Sequence, residues 1–171
     1  VTESAVYHLS VFVHVLSAVV WAGGMLFLAL VAIPVLRALP DRPRAELVAR
    51  LGERFRPVAW ACIVLLVVTG ILNLAFRGVT WESVATGRLW QSPFGQVLAW
   101  KLVFVAGAVL LSAVHDFYLG PTSTRLLQAA NPDGRKAAAL RRQAAWVGRI
   151  NALFVMAVLA LAVLLVRGLP R

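Results

Sequence analysis

Seven polar or ionisable side chains stand out within the otherwise apolar blocks of this chain: His14, Thr69, Asn73, Lys101, His115, Asp116 and Asn151. A group that must hydrogen-bond or ionise is costly in an apolar stretch, so it marks a site by default. Imidazole, thioether and thiolate are the soft or borderline donors that suit copper, and Met25 and Cys62 lie in the same blocks as His14 and His115. A plainer reading stands beside each. His14 fits a satisfied core histidine, Lys101 a side chain snorkelling to a nearby interface, His115-Asp116 a helix cap and Thr69 a bond back to its own helix. Trp21, Met25 and Cys62 fit ordinary packing.

The blocks that carry these residues are Leu9–Leu36, Val58–Phe76, Val97–Leu119 and Ile150–Val166. Each is close to the roughly 20 apolar residues that cross a hydrocarbon core of about 30 Å. A backbone in lipid must satisfy its own hydrogen bonds, which makes the blocks helices. Of the 171 residues, 61% are hydrophobic and 14% charged, whereas a soluble domain keeps roughly half apolar and about a quarter charged. The expected fold is all-α: one domain over residues 1–171, an integral membrane four-helix up-down bundle with spans at about 8–36, 58–77, 97–119 and 147–167. Ala22, Gly23, Gly24, Ala106, Gly107 and Ala108 are small enough for close helix contacts.

Between the first two spans, Pro40 and Pro43 break the helix. Ala45–Phe55 then carries Leu47, Val48, Leu51 and Phe55 on one face and Glu46, Arg50 and Arg54 on another. That pattern predicts a separate amphipathic helix on the inner membrane surface, with Pro57 opening the second span. Gly120-Pro121 ends the third span, a short helix is expected over Thr122–Ala130, and Asn131-Pro132-Asp133-Gly134 reads as a turn. The first block has no basic leader or small-residue cleavage site and reads as a retained helix. With one cysteine, no internal disulfide forms.

A formal net charge of +10 resembles a nucleic-acid footprint, but its distribution argues against nucleic acid. Twelve of the 17 basic residues fall in the two loops that follow the first and third spans. Basic loops stay cytoplasmic, so both termini are expected outside a bacterial-type inner membrane. At 1.5 Å per residue, His14 then lies roughly 8 Å, and Asn73 and Lys101 roughly 6 Å, below the outer surface. A second layer near the inner face holds His115 and Asp116, with Met25, Cys62 and Asn151 within one or two turns. His14, Trp21 and Met25 share one helical face; His8 is about 120° away from it.

Several stretches resemble the copper resistance protein D (CopD) family. His14, Trp21, Gly23-Gly24 and Phe27 followed by Pro34 are similar to its first helix. Arg54-Phe55 with Thr69-Gly70 and Asn73 is similar to its next, and Ser92-Pro93-Phe94-Gly95 before Lys101-Leu102 to the one after. His115-Asp116-Phe117 with Gly120-Pro121 fits stand-alone members. The resemblance implies copper import or export at the inner membrane, in longer relatives with about twice as many helices. A homo-oligomer or a periplasmic copper-binding protein are the partners it suggests. On this reading His8, His14, Met25, Cys62 and His115 form the metal path, with Asp116 and Asn151 supporting it.

A more distant resemblance is to the HemJ-type membrane protoporphyrinogen oxidases. His14, Trp21 and Lys101 match their layout, which implies a b-type haem with His14 as axial ligand and Trp21, Asn73 and Lys101 around it. Their Pro-Arg-Leu element is replaced by Pro34-Val35-Leu36-Arg37. His14 and His115 differ by about 20 Å in depth, which disfavours both as ligands of one haem. A partner-subunit role with docking on the cytoplasmic helices is the third reading. A hydrolase is disfavoured: no Ser/His/Asp arrangement, paired carboxylates or glycine-rich phosphate loop is present.

Overall fold

The computed structural model describes residues 2–122, 125 and 134–167 of the chain. Among these, every regular element is helical, and four helices are long and apolar enough to cross a membrane. Helix α1 runs over Glu3–Phe27 and continues through a π-helical turn at Leu28–Ala32 into a last α turn at Ile33–Leu36. Helix α2 covers Asp41–Phe76. Two short helices follow, α3 (Trp81–Ala85) and α4 (Arg88–Gln91). Helix α5 covers Pro93–Ala113 and passes into a second π-helical turn at Val114–Leu119, and α6 covers Gly134–Arg167.

The prolines explain the irregular turns. A proline inside a helix lacks an N–H and crowds the carbonyl four residues earlier. For Pro34 that carbonyl belongs to Leu30, and for Pro121 to Phe117. Both lie within the π-helical turns, whose wider winding gives the ring room. Helix α5 therefore does not stop at Gly120-Pro121; its span reaches Thr122. The rest of the expected 122–130 helix and most of the Asn131–Gly134 turn lie outside the described residues.

A second expectation is corrected. Ala45–Phe55 is not a separate surface helix but the first part of the continuous α2, which has Pro57 in its interior. Pro43 sits in the first turn of α2, where backbone N–H groups have no partner inside the helix. Pro57 removes a single bond, to the Glu53 carbonyl, and longer-range packing of Phe55 against Gly24 holds the helix across it. At 36 and 34 residues, α2 and α6 are each about 50 Å long and extend well past a hydrocarbon core.

The helices alternate in direction as an up-down bundle. The Tyr7 ring packs at a tilt against Phe76, and Arg77 reaches the Leu165 carbonyl, so the start of α1 meets the ends of α2 and α6. This is the Tyr7 end; the arginine-rich connections gather at the opposite, basic end. Helix α1 packs mainly on α2, and α5 on α6, with α1 also touching α6. The core where the pairs meet holds Trp21, Ala22, Ala59, Cys62, Ile63, Ala108 and Val155. Gly24 admits the Phe55 ring and Gly107 the Phe154 ring, which is the close approach expected of small residues.

Capping fixes the Tyr7-end corner. Gly78, at φ 77°, closes α2 with Gly78 N–H bonded to the Ala75 carbonyl and Val79 N–H to Leu74, a Schellman arrangement. Thr80 caps α3 through the Ser83 N–H, and Ser92 caps α5 through the Gly95 N–H at 3.0 Å.

Candidate functional site

Toward the Tyr7 end, α1 and α2 meet at His14 and Thr69. The His14 Nδ1 lies 2.8 Å from Thr69 Oγ1, and that hydroxyl is 2.5 Å from the Leu65 carbonyl of its own helix. A hydroxyl has one proton, and a carbonyl can only accept. The Thr69 proton therefore goes to Leu65, and Thr69 must accept a proton from His14 Nδ1–H. The tautomer inferred from this network places the lone pair of neutral His14 on Nε2, the form in which histidine ligates metals. Thr69 does bond back to its own helix, as the plainer reading had it, and it orients His14 as well. Gly70 leaves space beside the ring, where a Cβ would lie 3.5 Å from Cε1.

The same layer contains Asn73, one turn along α2, whose Oδ1 is buried without a hydrogen-bond partner. Lys101 is half-buried on α5, near enough to act electrostatically on His14 and to be acted on by Arg77. Arg77 in turn lies over the Phe94 ring. His8 stands apart, as its angular offset requires. It is exposed, and its Nδ1 meets the Ser4 carbonyl 2.5 Å away.

Farther along, three helices converge on Asn151. Its Nδ2 donates to Ser112 Oγ at 2.9 Å and approaches Met25 Sδ at 3.6 Å, while its Oδ1 is buried without a partner. Met25 packs against the core that contains Trp21 and Cys62. Nearer the basic end, Asp116 links two groups: its Oδ1 is 3.1 Å from His115 Nδ1, and its Oδ2 accepts from Trp60 Nε1 at 3.2 Å. Arg56 and Trp60 both face the Phe117 ring.

The structure thus joins His14 to Thr69, Met25 to Asn151, and His115 to Asp116. It does not gather the histidines and the cysteine into one cluster: among the described residues, no three His, Cys, Asp or Glu side chains are grouped to hold a metal ion. Ser112, Trp60 and Arg56 escaped the sequence reading. Ser112 carried a usable signal, a hydroxyl inside an apolar block one turn before His115-Asp116. Trp60 carried no signal of its own within the second apolar block, and Arg56 counted only toward the basic loop.

Four apolar spans around separated polar layers define a multi-pass helical membrane protein. The pattern of the family described as Copper resistance protein D matches residues 49–165, from within α2 to the end of α6, and the chain belongs to that family. An uncharacterized protein of Aquifex aeolicus (strain VF5) is 34% identical over 113 residues, covering 66% of this chain and 69% of that protein. No solved structure matches. The matched region begins after α1, so His14 and Met25 stand outside it. The haem alternative draws no support from these similarities.

Proposed function

We propose that this protein handles copper ions as cargo within a bacterial-type inner membrane, with both termini outside and the basic connections in the cytoplasm. The observation that carries the reading is His14, whose Nδ1 is held by Thr69, in a chain of the copper resistance family. A ligating histidine characteristically donates its other N–H to an oxygen that fixes the ring. His14 forms the first station. Met25 and Cys62 supply softer donors deeper in the bundle, and His115, backed by Asp116, lies closest to the basic end. His14 and Met25 are eleven residues apart on α1, about 16 Å, so they act as successive stations and not as one coordination sphere.

The test is a Cu(I) titration of detergent-purified protein against a competing chelator, followed by copper uptake into proteoliposomes. Binding with at least micromolar affinity is expected, together with thermal stabilisation. Absence of both sinks the proposal.

Lys101 bears on the affinity. A cation near His14 is opposed by the ammonium; for scale, two unit charges at a separation of about 10 Å repel by roughly 1.7 kcal/mol at an effective dielectric constant of about 20. Lys101→Leu is therefore expected to tighten copper binding by about tenfold. Unchanged or weaker binding in the same titration would show that the lysine does not oppose the ion.

A further inference from the structure

Arg56 is the last arginine before the second apolar block, half-buried on α2, and its Nε is enclosed without a hydrogen-bond partner. No ion pair or hydrogen bond joins it to another described residue. Glu53, one turn earlier on the same helix, is exposed and not paired with it. Asp116, next to Phe117 in the second π-helical turn, is held by His115 Nδ1 and Trp60 Nε1 instead. What Arg56 does contact is the Phe117 ring, with the guanidinium carbon 5.7 Å from the centroid. A cation–π contact fixes the guanidinium but uses none of its N–H donors. The enclosed Nε is shut off from water, and an unmade bond there is costly. The charge is spread over the whole fork, so an anion on the terminal nitrogens neutralises all of it. Phosphate oxygens match that fork.

Depth selects the source of the phosphate. Arg56 precedes the apolar block at Val58 by two residues, about 3 Å of helix, and the headgroup layer adds about 5–8 Å to each side of the hydrocarbon core. The guanidinium therefore lies among the headgroups. Just deeper, Phe117 and Tyr118 are 61% and 65% exposed and present apolar surface to the lipid, and the Trp60 ring backs Phe117 with centroids 5.4 Å apart. A cation at headgroup depth above an aromatic surface follows the layout of a phospholipid, with its phosphate above and its acyl chain below. The field selects the sign of the headgroup. Twelve of the 17 basic residues gather at this end, which opposes the ammonium of a zwitterionic lipid and favours a net anionic one. We propose that Arg56, braced on Phe117, binds the phosphate of an anionic phospholipid in the leaflet at the basic end. The site stands independently of the copper reading.

The test is native mass spectrometry of the full chain, delipidated in detergent and titrated with phosphatidylglycerol or with phosphatidylcholine. A single phosphatidylglycerol is expected to bind about tenfold more tightly than phosphatidylcholine, and Arg56→Gln to erase the difference. Arg56→Lys keeps the charge but not the fork, and is expected to lose part of the preference; it carries the test should Arg56→Gln fail to fold. Arg54→Gln removes the same charge at nearly the same depth, about 200° around α2, and is expected to keep the wild-type preference. No preference in the wild type, equal loss in Arg54→Gln, or full preference in either Arg56 variant overturns the proposal. Excess glycerol phosphate separates the sources: the bound lipid is expected to stay in place. Its displacement would show that a free phosphate ester is sufficient, and would overturn the assignment to a lipid.

Discussion

His14→Ala is expected to weaken Cu(I) binding by about 100-fold or more, close to 3 kcal/mol. The expectation rests on the Thr69 contact. With Nδ1–H committed to Thr69 Oγ1, the ring has one tautomer and one orientation, and its Nε2 is a preorganised donor. Thr69→Val keeps the side-chain shape and removes the acceptor, which frees the ring and leaves its N–H without a partner. Loss of such an orienting group commonly lowers metal affinity by about 10–100-fold. Thr69→Val should therefore fall between the wild type and His14→Ala in a chelator-competition titration. If His14→Ala binds Cu(I) as tightly as the wild type, the first station is not there. If Thr69→Val alone is silent, the hydroxyl serves only its own helix.

Gly95→Ala should lower the melting temperature in detergent most among the glycine variants. A Cβ at Gly95 would collide with the Leu89 carbonyl oxygen and lie 3.1 Å from Ser92 Oγ. The first obstacle is backbone, so α4 has to move away from the start of α5, and the Ser92 cap moves with it. Overpacking of this kind costs about 1–3 kcal/mol, and loss of a cap about 1 kcal/mol more. Gly52→Ala gives the contrasting case. Nothing lies within 4 Å of its added Cβ, and alanine gains up to about 1 kcal/mol over glycine inside a helix. Opposite shifts of the two melting temperatures are expected. A Gly95→Ala protein melting at or above wild type would refute the close approach of α4 to α5.

The four spans were legible because length and hydropathy act over some twenty residues at once, and no local irregularity hides such a signal. Pro57 misled the reading. The residue type marks a break locally, but whether the helix continues depends on contacts such as Phe55 with Gly24, more than 30 positions away. The site was legible in depth and illegible in pairing. Rise per residue separated His14 from His115 in depth, and helical angle put His8 off the face of His14, although the family resemblance kept His8 on the metal path. It could not show that His14 bonds to Thr69, 55 residues later, nor that Asn151 joins Ser112 to Met25. Such partners are chosen by the rotation of each helix about its own axis, which a near-uniform apolar surface leaves unspecified; the long apolar side chains on every face of these helices give little rotational preference.

The two π-helical turns have a consequence for comparing this chain with its relatives. Each winds about one more residue into a turn than an α-helix does, at Leu28–Ala32 and again at Val114–Leu119. In alignment terms each is a single-residue insertion. A relative without the proline that follows has no need for the wider turn, and it is expected to align with this chain through a one-residue gap there. Periodicity counted straight through the turn, from Lys101 to Gly120 for example, then assigns the wrong face, whereas counting afresh beyond it restores the register.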